Sequence, residues 1–97
     1  MSRIIPQQAD GAVLLSDVAL NTVFSITICN TATDSASFDL NDCAATGDAA
    51  TSNLVLSLMI PASTTIQFTY QGLLFGTGIV GTFVWGNAAA IAHIEVG

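Results

Sequence analysis

Residues 54–70 read Leu-Val-Leu-Ser-Leu-Met-Ile-Pro-Ala-Ser-Thr-Thr-Ile-Gln-Phe-Thr-Tyr, and the period of their apolar side chains decides the fold. Leu54, Leu56, Leu58 and Ile60 fall on one side of the chain, with Val55, Ser57 and Met59 on the other. Beyond the turn residues 61–63, Ile66, Phe68 and Tyr70 alternate in the same way with Thr65, Gln67 and Thr69. A repeat of two belongs to a pleated strand, whereas a helix would repeat its apolar face every three to four residues. β-branched and aromatic residues suit such a surface.

Working outward, Phe24, Ile26 and Ile28 alternate with Ser25 and Thr27. Further short apolar runs occupy 12–15, 18–28, 37–40, 79–85 and 90–96, separated by turn-rich segments at 30–35, 41–53, 72–78 and 86–87. Strands of this length at this spacing predict an all-β chain, a small antiparallel β-sandwich or jelly-roll-like barrel of about seven or eight strands. A chain of 97 residues buries one core, so 1–97 is read as a single domain. The connection 41–53 is the longest and has the composition for one helical turn. Residues 1–10 hold Pro6 and two glutamines with little periodicity. They are expected to form an extended N-terminal arm, anchored by Ile4 and Ile5, that orders only against a partner.

The net charge is −6, with Arg3 the only base. Phosphate neutralisation needs Lys and Arg, so nucleic acid is excluded as a partner, and anionic membrane surfaces are disfavoured for the same reason. Between Asp48 and Glu95 lie 46 residues without a charge, where a soluble surface normally carries about a quarter to a third charged residues. That half is expected to be enclosed by the core or by neighbouring subunits. The first ten residues lack the apolar stretch of a secretory signal. If 22–29 and 36–40 form a hairpin about 31–35, Cys29 lies opposite Ala36, and Cys43 lies on the order of 20 Å away, too far for a disulfide. This favours two free thiols over a bridge, as suits a reducing cytoplasm.

Several stretches resemble chemistry. Gly76-Thr77-Gly78-Ile79-Val80-Gly81 is a literal G-x-G-x-x-G, yet a dinucleotide site needs a helix to begin at the glycines, and Thr82, Phe83, Val84 and Trp85 read as strand. Residues 73–92 are uncharged, but four glycines, two threonines and Asn87 break them up, so a membrane span is not predicted. Asp39, Asn41, Asp42 and Asp48 open like a calcium loop, but Cys43 and Ala44 stand where a ligand and a glycine are needed. His93, with Cys29 or Cys43 and an aspartate, supplies the residue types of a nucleophilic site, with nothing in the spacing to unite them. No C-x-x-C or H-x-x-x-H pair points to zinc. The expectation is no enzyme, no catalytic residue, no cofactor and no metal. Tyr70, Phe75, Phe83 and Trp85 are read as core residues, one or two of which serve as interface anchors.

From 22 to 96 the chain resembles small β-sandwich structural proteins of tailed bacteriophages. The residues that carry the likeness are Ile26-Thr27-Ile28-Cys29-Asn30, the strand Ser37-Phe38-Asp39-Leu40, the segment Ile60-Pro61-Ala62-Ser63-Thr64-Thr65-Ile66, a glycine-rich stretch and a closing strand pair. The resemblance implies a virion component made in the host cytoplasm. It would be a capsid decoration or cement protein that contacts copies of itself, a trimer being favoured, and a major capsid or other virion protein, with 1–10 as the clasping arm. The alternative it implies is a tail or fibre component that binds a host-surface receptor, to which Trp85 beside Gly86-Asn87 points.

Overall fold

The computed structural model describes residues 3–8, 11–18, 20–84 and 90–97. Eight strands follow in chain order: β1 (Arg3–Gln7), β2 (Gly11–Ser16), β3 (Asn21–Asn30), β4 (Ala36–Asn41), β5 (Leu54–Ile60), β6 (Thr64–Phe75), β7 (Ile79–Val84) and β8 (Ala90–Val96). Two short 3-10 turns, Thr46–Asp48 and Thr51–Asn53, lie between β4 and β5. The strands form two four-stranded sheets, ordered β1-β8-β3-β6 and β2-β7-β4-β5, with antiparallel pairing throughout. Consecutive strands change sheet at every step except β4 to β5, and this winding is that of an eight-stranded jelly roll.

Side chains alternating in this way along the strands fill the space between the sheets. Val23, Ile26, Ile28 and Phe75 of one sheet and Phe38, Leu40, Ile60 and Phe83 of the other are fully buried. The Phe38 and Phe83 rings meet at 4.5 Å between centroids, tilted by 44°. Each such side chain contributes roughly 1.5–3 kcal/mol on burial. The uncharged window 73–92 is divided among the end of β6, β7 and the start of β8, and no helix is long and apolar enough to cross a membrane among the described residues.

Three expectations are corrected. The first concerns 1–10, where Arg3–Gln7 is an edge strand paired along β8 from Arg3↔Val96 to Gln7↔Ala92. An edge tolerates Pro6, whose ring would break a central ladder. Gln7 is only 3% exposed, and its Nε2 crosses to the other sheet to donate to the carbonyl oxygens of Gly81 at 2.9 Å and Gly11 at 3.4 Å. Second, β3 and β4 form no hairpin, because β4 belongs to the opposite sheet. Asn30 builds the crossing: its Oδ1 accepts from Ala32 N–H at 3.1 Å, and its Nδ2 donates to Asp34 O at 2.9 Å and to Ile60 O and Pro61 O at 3.3 Å. Third, the chain does not turn at Gly72. β6 continues to Phe75 through a bulge, where the register jumps from Ser25↔Thr69 to Val23↔Leu73 and Gly72 takes φ +124°, a conformation open to glycine at little cost.

Candidate interaction surface

The residues singled out for chemistry lie on different elements of the fold. His93 is exposed on the outer face of its sheet, opposite Thr27 on β3 and Pro6 on β1. Cys29 on β3, half-buried and opposite Ile91 on β8, occupies the diagonal position to His93, a spacing of about 7–8 Å between Cα atoms, and no hydrogen bond joins the two. Glu95 accepts from Ser25 Oγ at 3.1 Å. Cys43 is buried beyond β4 with its thiol toward Ala45 O, and both cysteines are free. Asp39 accepts from Ser57 Oγ at 2.6 Å, while Asp48 offers its backbone carbonyl to Asn53 Nδ2 at 2.9 Å. Among the described residues no three His, Cys, Asp or Glu side chains come together as metal ligands do.

The glycine motif does hold an anion, and the anion is the chain's own. Gly76, Thr77 and Gly78 aim their backbone N–H groups at the Asp42 carboxylate, at 2.9, 2.8 and 3.3 Å. Successive amides turned one way make an anion-binding concavity. Partial burial pushes the Asp42 carboxyl up, but the bonds from Thr77, Gly76 and Gly78 outweigh it and hold the group below the usual carboxylate range. At Gly78 a Cβ would stand 2.5 Å from Cys43 O and 2.8 Å from Ser16 O. The absence of a side chain is therefore what lets the β6–β7 turn lie against the β4–β5 connection.

That connection also folds back over the outer face of the β2-β7-β4-β5 sheet. Asn41 Nδ2 donates to Ala50 O at 2.9 Å and Asn53 Oδ1 at 2.8 Å, and Asp42 N–H reaches Asn53 O at 2.9 Å. Under this strap lies an open pocket of about 230 Å³, where Asp39, Asn41, Thr51 and Thr82 present polar groups beside Ala49, Ala50 and Leu54.

The other feature is the side of the sandwich bounded by β5 and β6. Each is the last strand of its sheet and, among the described residues, pairs on one edge only, β5 with β4 and β6 with β3. Neither carries a charged residue or a proline within its bounds, which are the usual guards of a free edge. Their inward side chains are not sealed. Leu56, Leu58, Ile66 and Tyr70 are half-buried against the core, Phe68 is 37% exposed, and Met59 on the outer face is 66% exposed. Of the aromatics expected as anchors, Phe75 and Phe83 are core residues and Tyr70 lies on this open side, while Trp85, like Gly86 and Asn87, falls outside the described residues. The period-2 pattern marks which side chains face inward. It carries no sign of which strands end a sheet.

In class, then, the chain is an eight-stranded jelly-roll sandwich with one unguarded side. No protein-family model matches it, and no curated protein sequence matches it.

Proposed function

We propose that this chain is a non-enzymatic structural protein of a virion, a capsid decoration or cement protein that stabilises contacts between capsid subunits. The observation that carries the reading is the β5–β6 side: seven and twelve residues of uncharged edge strand, with a free ladder edge on each strand and inward apolar side chains that the core only half covers. A long uncharged edge of this kind invites a strand or surface from another chain. The likeness of 22–96 to phage structural sandwiches supplies the virion, and the scarcity of charge supports life among neighbouring subunits.

The test is whether the chain travels with particles. Density-gradient fractions from cells producing the parent phage are probed for this protein, and its copies per particle are counted. Many copies co-sedimenting with intact capsids are expected. A chain confined to the soluble fraction would refute the reading. The pocket beneath the β4–β5 strap favours a second reading, a tail or fibre component binding a host-surface glycan through Asp39, Thr51 and Thr82. A few copies located at the tail, with binding to host surface polysaccharide lost in Asp39→Ala, would move the assignment there.

A further inference from the structure

Four strands end the two sheets, and they are not equivalent. β1 carries Arg3 and Pro6 within it, and β2 is a six-residue strand with Asp17 at its end and a register irregularity between Leu14 and Ser16. β5 spans seven residues, and its Ser57 hydroxyl is engaged by the Asp39 carboxylate of the neighbouring strand. β6 is the longest strand, twelve residues from Thr64 to Phe75, with neither charge nor proline, and its bulge lies beyond Thr69, so Thr64–Thr69 pairs with β3 in unbroken register. Its partner β3 occupies one edge only. Alternate residues of β6 therefore turn their N–H and C=O groups toward open space.

Resting on the assembly reading above, we propose that this edge is completed by β6 of a second copy of the chain, running antiparallel about a two-fold axis at Gln67. The charge distribution admits this occupant. Each copy carries −6 overall, so two copies repel wherever their carboxylates come within a Debye length of about 8–10 Å. Glu95 lies on the outer face of one sheet, Asp39 on that of the other, and Asp34 in the β3–β4 crossing. The β6 edge brings none of them into the ladder. A second copy meets it without a like-charge pair, and no basic partner gains from it.

The side chains match about the same axis. With Gln67 opposite its own copy, Ile66 faces Phe68 of the other chain and Thr65 faces Thr69, each twice. Thr65, Gln67 and Thr69 are exposed on the outer face, while half-buried Ile66 and partly exposed Phe68 point inward. Aromatic–β-branched and Thr–Thr cross-strand pairs are both favourable. Each copy thereby covers the other's open side. An isologous contact of this kind closes on itself and leaves no β6 edge to propagate. It replaces, for this contact, the three-fold arrangement that the phage resemblance implies.

Sedimentation equilibrium of the full chain, Gln67→Lys, Gln67→Glu and an equimolar mixture of the two variants tests the pairing. Gln67 is exposed, so both variants keep the fold, which the thermal midpoint of dilute samples verifies. Wild type is expected as a dimer. Each variant, placing like charges across the axis, should dissociate up to about fivefold more readily, and the mixture should recover the dimer. A wild-type monomer or trimer, variants that associate like wild type, or a mixture no tighter than its parts would overturn the proposal. If any of those results accompanies many copies in purified capsids, the two-fold pairing alone fails and the virion role stands.

Discussion

Asp42 shows how one side chain can settle a question that a motif raises. Its carboxylate already fills the amide concavity of Gly76, Thr77 and Gly78, so those amides serve as a brace between two loops. A carboxyl held below its unfolded value of about 4 contributes stability that is fully present at neutral pH and fades as pH falls through the folded value. Asp42→Asn should therefore lower the thermal midpoint at pH 7, by the equivalent of about 1 kcal/mol for a group open to solvent. The gap from wild type should shrink toward pH 2, and a gap independent of pH would show that the charge is irrelevant. Gly78 is the steric half of the same brace. Because a Cβ there meets backbone oxygen atoms rather than a flexible side chain, Gly78→Ala should cost about 2 kcal/mol or more in urea unfolding, whereas Gly47→Ala, with nothing near it, should be nearly silent.

At the scale of the element, β1 is a structural strand whose removal leaves β8 with a bare edge and takes the Gln7 amide from Gly81. Deleting residues 1–7 should lower the melting temperature and bring concentration-dependent aggregation, both read by turbidity-monitored melting. A deletion that left stability intact would restore the free arm read from the sequence. Strands β5 and β8 were legible residue for residue at 54–60 and 90–96, the first from strict alternation between Asn53 and Pro61, the second as an apolar run that stops at Gly97. β1 was hidden by Pro6, which argues against a strand unless its place at an edge is known. The far end of β6 was hidden by Gly72, since a bulge and a turn call for the same residue. Residues 31–35 have the composition of a hairpin loop and of a crossing between sheets alike, and only Asn30's reach to Ile60 and Pro61 separates them. The open side of β5 and β6 was beyond sequence reading for a related reason, since period 2 tells face and not rank within a sheet. The bond between Asp42 and the glycine turn joins residues 34 to 36 apart, a distance that no local pattern spans.

At the scale of the whole molecule, the pairing of Arg3 with Val96 places almost the full length of the chain inside one loop. Contacts of such separation slow folding, because the chain must surrender its entropy before the ladder repays it. A circular permutant that joins the present ends through a short linker and opens between Thr33 and Asp34 makes β1–β8 local. It also shortens the separations of β2–β7 and β3–β8 while lengthening only β3–β6. Closing a loop of roughly ten residues instead of about ninety saves about 2 kcal/mol, so the permutant should refold faster in stopped-flow mixing, and an unchanged rate would place the β1–β8 ladder outside the rate-limiting step. The same geometry orders events during synthesis. Of the eight described strands β1 leaves the ribosome first and its ladder partner β8 last, so β1 waits unpaired while the other six are made, and the sandwich acquires its final edge when β8 emerges.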